Sequence, residues 1–256
     1  MLALFHTFLY QPIFNIFVGL YDLIPGHDVG LVILVITILI RLALYPMTGK
    51  SIKAQRSLQE LQPKMEEIKQ KYKDDKQKQT QAIMELYKNN KVNPLGSCLP
   101  MLIQLPILIA LYMVLRDGLV SNNLSEVLYS YIPNPQTINP MSFGFFDLAK
   151  PNVVLAFLAG GAQYWQARTL SRKQAPKSAG TGSKDENMMS MMNKQMLYFM
   201  PVLTVVIGMS LPAGLTLYWF FSTLLMALQQ VWLNKKEPLA KKIQDDKVIE
   251  GKIVEK

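Results

Sequence analysis

The stretch VGLVILVITILIRLALYP, Val29 to Pro46, decides the fold. It is apolar at almost every position except Arg41. A bilayer core of about 30 Å needs about 20 apolar residues in a helix, so this run reads as a membrane span. A permanently charged guanidinium inside such a run is costly. Arg41 lies five residues before Pro46, about 7.5 Å along a helix. On that spacing alone it either snorkels to the nearer surface or is kept for a function.

Four further stretches match the first. The spans predicted are 29–48, 97–117, 152–170, 195–211 and 213–233, and none contains an acidic residue apart from Asp117 at the end of the second. The 256-residue chain is half hydrophobic yet carries a net charge of +9, which fits a membrane protein with segregated charge better than a soluble enzyme. Residues 1–28 hold no Lys or Arg, the 49–96 insert holds eleven, and 118–150 holds one. The stretch 168–194 holds six and the tail from Asn234 seven, with none at the Pro212 turn. Under the positive-inside rule this alternation puts the N-terminus outside and the C-terminus in the cytoplasm.

Residues 1–28 lack a basic n-region and a small-residue cleavage site, which argues against a signal peptide. After Pro12, Ile13, Phe17, Leu20, Tyr21 and Ile24 share one helical face, and Gln11, Asn15 and Asp22 the other. This predicts an amphipathic helix on the outer membrane surface; the alternative is a sixth span.

In the insert, Leu58, Leu61, Met65, Ile68 and Tyr72 recur at alternating steps of three and four, a coiled-coil seam. Pro63 is expected to kink this arm. Asp74, with Gln77 as its reciprocal partner, is the expected N-cap of a second arm carrying Ile83, Leu86 and Tyr87. Together they predict a cytoplasmic helical hairpin, whose charge serves either as a solvated surface or to dock a partner.

Catalytic constellations are lacking, so the chain reads as no enzyme and needs no cofactor. Its two histidines, His6 and His27, precede the first span, and no nucleotide-binding fingerprint occurs. A single cysteine, Cys98, excludes an intrachain disulfide. Cys98 reads as a small packed residue despite the lipoprotein-like PLGSC around it. The methionines of NMMSMMNKQM, 187–196, within the 171–194 loop and the start of the fourth span, read as a deformable apolar surface rather than a copper site.

Polar residues within the spans fall on faces. Thr37 and Arg41 are one turn apart in the first span, Gln163 and Gln166 pair in the third, and Thr216, Trp219 and Thr223 form a stripe in the fifth. Gln104 lies between Pro100 and Pro106, and Gln229 and Gln230 near the fifth span's end. One such residue usually bonds a neighbouring helix. Several of them, with one arginine and no counter-carboxylate, suggest a wet cavity that recruits an anion.

The motifs IRLALYPMT (40–48), LQPKMEEIKQKY (61–72), VNPLGSCLPMLIQLPI (92–107), FMPVLTVV (199–206) and PAGLTLYWFFSTLL (212–225) resemble the YidC/Oxa family of membrane protein insertases. The resemblance runs in order from about Val29 to Leu233. It implies an all-α integral membrane protein of the bacterial cytoplasmic membrane, with five helices around a hydrophilic groove open to cytoplasm and lipid. Arg41 corresponds to the groove arginine, Trp219 to the family's fifth-span tryptophan, and Gln166, or Gln163 in competition, to its polar third-span position.

The implied partners are nascent membrane proteins and the lipid bilayer, with ribosome and Sec translocon as further candidates, and neither a small-molecule substrate nor a specific nucleic acid. The sequence shows neither the large outside domain nor the lipoprotein signal of many members, leaving the lineage open. The 234–256 tail nets only +2, a weak basis for ribosomal RNA contact. A small transporter for an anionic solute, using the same arginine, is the competing reading; an assembly factor acting after insertion is a third.

Overall fold

The computed structural model describes residues 2–93, 96, 99–120, 127–171 and 195–236. Expectations for Cys98, for most of the Met-rich segment and for the tail beyond Lys236 lie outside these residues. The described chain is mainly helical, with irregular connections and one β-hairpin of two-residue strands.

A helix α1 (Leu2–Phe5) continues through a π-helical turn (His6–Tyr10) into α2 (Gln11–Leu23). Tyr10, Phe14, Phe17, Val18 and Tyr21 are buried along one face. Asn15, expected on a wet face, is 2% exposed instead. Its amide donates to the carbonyls of Gln11 and Val127, and its oxygen accepts from Tyr129 N. The sequence pattern could not place it because two of its three partners, at Val127 and Tyr129, lie more than a hundred residues away. The opposite stripe, Leu4, Phe8, Ile16 and Leu23, is exposed and apolar.

The next helix, α3 (Val29–Ala43), is capped by Asp28 and ends five residues before the predicted limit of the span. It gives way at Leu44 to α4 (Tyr45–Glu60), bent by 67°. Pro46, in the first turn of α4, lacks an N–H and its ring clashes with the carbonyl four residues back, so the helix turns within the 29–48 stretch. A second break at Leu61, just before Pro63, separates α4 from α5 (Gln62–Lys71), as the Pro63 kink anticipated.

Helix α6 (Lys76–Asn89) then folds back antiparallel on α5. Gln79 donates to the Lys69 carbonyl and Tyr87 to Met65 Sδ. In the predicted seam, Leu61 and Met65 are buried, while Leu58, Ile68 and Tyr72 are half-buried. The N-cap is Asp75, not Asp74: its backbone is extended and its carboxylate accepts from Lys78 N at 3.0 Å. The one-residue shift removes Gln77 from the reciprocal position, and Lys78 instead pairs with Asp75 at 3.2 Å.

Helix α7 (Leu99–Val120) continues through Pro106. The following connection carries strands β1 (Met141–Ser142) and β2 (Phe146–Asp147), antiparallel. Then come α8 (Val153–Ser171), a π-helical turn (Gln195–Phe199), α9 (Met200–Gly208) and α10 (Ala213–Lys236). By length and composition, Ala3–Leu23 and Leu102–Leu119 suffice to cross a membrane, and the bent α3–α4 pair makes a third candidate. The polar residues of α8 and α10, including Gln163, Gln166, Thr216 and Thr223, lower their mean hydropathy.

The core joins α2, α3, α7 and α10 through Phe14, Phe17, Ile33, Leu111, Leu115 and Tyr218. Helix α10 packs most extensively on α8, then on α3. Small residues permit the close approach: Ala156, Ala159 and Ala162 of α8 and Ala213 and Ala227 of α10 are all buried.

The β-hairpin is latched to the start of α3. Asp28 accepts from Gly30 N (2.7 Å), Leu31 N (3.2 Å), Ser142 Oγ (2.5 Å) and Phe143 N (2.5 Å). Gly30 is required here, because a Cβ would overlap Ser142 Oγ. Burial alone would raise the Asp28 pKa, but the hydrogen bonds from Ser142, Phe143, Leu31 and Gly30 outweigh it and hold the carboxyl below the usual range. A depressed native pKa gives stability that is fully present above the unfolded value of about 3.9 and lost as pH falls through the native one. The thermal midpoint in detergent is therefore expected to hold between about pH 5 and 7 and drop below about pH 4. Asp28→Asn should flatten that acid limb. Asp28→Ala should cost about 1–2 kcal/mol at neutral pH, as for a lost helix cap. An unchanged acid limb in Asp28→Asn would assign it to other carboxyls.

Candidate functional site

Arg41 lies in the last turn of α3, just before the bend. Its Nε and Nη2 donate to Ser222 Oγ on α10, at 3.1 and 2.5 Å. Ser222 is 2% exposed. One turn earlier on α10, Tyr218 is also buried, and its hydroxyl accepts from Gln104 Nε2 of α7 at 2.7 Å. Arg41 thus sits where α3, α7 and α10 meet. Among the described residues it has no carboxylate partner.

Beside it opens a cleft of about 270 Å³, counting space open to solvent, lined by Arg41, Leu44, Met47, Thr48, Leu99, Ile103 and Gln104. The bend at Leu44 creates this space by carrying α4 away from the axis of α3. Thr48 Oγ1 lies 3.0 Å from Gln229 Oε1, and Gln229 Nε2 donates to the Tyr45 carbonyl at 3.3 Å. Helix α10 is therefore bonded to both sides of the bend. The cleft wall is apolar apart from Arg41, Thr48 and Gln104, and the guanidinium is its one charge. Such a site can attract an anion, and its hydrogen-bond strength is enhanced by the low dielectric around it.

Apart from Gln104, the other polar residues singled out by sequence do not line this cleft. Thr37 stands one turn from Arg41 as expected, but it is fully buried and its hydroxyl donates to the Ile33 carbonyl at 2.6 Å. Gln163 accepts from Thr204, tying α8 to α9. Thr216 donates to the Gly208 carbonyl at 3.3 Å, closing the α9–α10 turn. Thr223 is buried, while Gln166 and Trp219 are half-buried. Gln230 faces away from Gln229, and its Oε1 accepts from Thr169 of α8 at 2.9 Å. Most of these groups serve helix packing, as single polar residues in membrane helices usually do.

Ser222, Tyr218 and Thr48 were not legible as site residues. Tyr218 and Ser222 stand one turn apart on α10, beside the Thr216–Trp219–Thr223 stripe, and Thr48 is the last residue of the 29–48 stretch.

The chain is similar to known proteins over most of its length. Residues 19–241 match the family model described as "60Kd inner membrane protein". The chain is 38% identical over 207 residues to a membrane protein insertase YidC of Fusobacterium nucleatum subsp. nucleatum, covering 81% of this chain and 86% of that one. It is 34% identical over 212 residues to a membrane protein insertase YidC of Geotalea daltonii, covering 83% of this chain but 35% of that protein. A crystal structure titled "Active YidC insertase crystal structure with the first transmembrane domain resolved" superposes with a TM-score of 0.55 at 26% identity, over 86% of this chain and 45% of the other. The chain thus spans most of one relative and about a third of another. With a helical fold and a family match over residues 19–241, the chain belongs to the YidC/Oxa family of membrane protein insertases.

Proposed function

We propose that this protein moves hydrophobic segments of newly made proteins from the cytoplasm into the bilayer, without catalysing a covalent reaction. The observation that carries the reading is Arg41, a cation with no carboxylate partner among the described residues, lining a cleft at a helix bend. An incoming segment with a short acidic tail first meets the α5–α6 hairpin. Its carboxylates then enter the cleft, where Arg41 lowers the cost of carrying negative charge into the membrane. The apolar part slides out into lipid, and the partition of ~20 apolar residues supplies the drive without a nucleotide.

The membrane arrangement belongs to the same proposal. Five spans, 29–48, 97–117, 152–170, 195–211 and 213–233, cross the bacterial cytoplasmic membrane, with the C-terminus in the cytoplasm as the basic-residue alternation requires. The α1–α2 helix lies on the outer surface rather than spanning. In support, Tyr10 bonds Asp117, Asn15 bonds Val127 and Tyr21 bonds Asn139. Those partners all belong to the end of α7 or to the connection after it, so the helix follows that one level along its length. Its exposed stripe of Leu4, Phe8, Ile16 and Leu23 then faces lipid.

Reconstitution tests the function. Liposomes carrying the purified chain should insert a single-span substrate into a protease-protected form with no added nucleotide, at several times the rate of empty liposomes. Equal rates would reject the reading. Labelling of a cysteine at position 37 or 41 from the outside, rather than from the cytoplasmic side, would point instead to a transporter.

A further inference from the structure

Among the described residues, the Arg41 guanidinium is held by one edge only. An arginine carries five N–H donors in a fixed planar fork. Ser222 Oγ, approaching from α10, engages the Nε and Nη2 side at 3.1 and 2.5 Å. Ser222 is almost fully buried and is not among the residues lining the cleft, whereas Arg41 is. Three donors remain, two on Nη1 and one on Nη2, along the end of the fork. The other polar groups of the cleft are engaged: the Gln104 amide with Tyr218, and the Thr48 hydroxyl with Gln229 or the carbonyls of its own helix.

We propose that Ser222 is a positioning residue that turns Arg41 so that the Nη1–Nη2 end of its fork, and not the Nε–Nη2 side, receives a carboxylate of the incoming chain. The inference rests on Arg41 being the anion-recruiting charge and adds how that charge is aimed. The free end of the fork matches a carboxylate as a bidentate pair. A guanidinium already pinned by Ser222 has lost its rotamer freedom before the substrate arrives, so less is lost on pairing. Without the serine hydroxyl the Nε–Nη2 side would compete for the same carboxylate, or turn toward water, and the docking geometry would blur.

The test compares two single-span substrates, one with an acidic tail and one with the same tail neutralised, in proteoliposomes. The readout is the ratio of their insertion rates. Ser222→Ala should lower this acidic-to-neutral ratio about fivefold, the size expected for the net contribution of one ordinary hydrogen bond. Ser222→Thr, which restores the hydroxyl, should recover most of it. In an Arg41→Lys background, where no fork exists to be aimed, Ser222→Ala should leave the ratio unchanged, and the double-mutant cycle isolates the coupling. A drop of equal size in the Arg41→Lys background would show that Ser222 acts through α10 packing and overturn the proposal, as would an unchanged ratio in Ser222→Ala itself. If Arg41→Ala also fails to change the ratio, the underlying reading of Arg41 falls; if Arg41→Ala changes it and Ser222→Ala does not, only the positioning role falls.

Discussion

Arg41→Ala is expected to slow insertion of an acidic-tailed substrate by about tenfold or more, and to slow a neutral-tailed one far less. The reason is electrostatic. An aspartate at the centre of a membrane helix costs about 3 kcal/mol on insertion-derived scales. If Arg41 offsets about half of that cost, its loss corresponds to about a factor of ten in rate. The guanidinium lines a mostly apolar cleft, and no carboxylate among the described residues pairs with it. Arg41→Lys keeps the charge but not the fork, so it should fall between wild type and Arg41→Ala. Protease protection of the two substrates in proteoliposomes measures both rates. Equal slowing of both would mean that Arg41 matters for the fold rather than for the charge of the cargo.

Two adjacent glycines provide the second large expectation. Gly160 of α8 faces α9, where a Cβ would overlap the Val205 side chain and lie 3.0 Å from the Pro201 carbonyl oxygen. Gly161, one residue on, has nothing within 4 Å of a built Cβ. Gly160→Val should therefore force α8 and α9 apart, at a cost of about 2–3 kcal/mol, as overpacking of close contacts does. In detergent this should lower the thermal midpoint by about 5–10 °C, taking 2–4 °C per kcal/mol as for a domain of this size. Gly161→Ala should stay within about 2 °C of wild type, since the added methyl meets open space and alanine favours the helix. Similar losses for the two substitutions would contradict the close α8–α9 crossing. Gly160→Val should also disturb the Gln163–Thr204 bond that ties the same two helices, so a loss of insertion activity alongside the lower midpoint is expected.

The features read from the sequence share a cause: a chain that is mainly helical, a helix break beside Pro63 and an apolar helix with Arg41 in its last turn. Each depends on neighbours within a turn or two, or on a periodicity read along one helix. The revisions share a cause too. Asp75 displaced Asp74 as a cap through a one-residue choice of backbone conformation. The 29–48 stretch bends at Leu44, where Pro46 stands in the first turn of a new helix.

The sequence by itself determined where apolar helices form, which connections carry the basic charge, and that one arginine stands among apolar residues without a nearby acid. Those properties follow from local hydropathy, proline and charge, and from motifs shared with the family. Only the tertiary structure decided what each polar side chain touches. Arg41 and Ser222 are 181 residues apart, as are Thr48 and Gln229, and Asn15 reaches Val127 and Tyr129. A polar group on an apolar helix must find a partner, but its own spacing cannot say which neighbouring helix supplies one. That is why Gln163, Thr216 and Thr37 proved to serve packing or their own helix, while Ser222, silent in the sequence, holds the charge on which the proposed function rests.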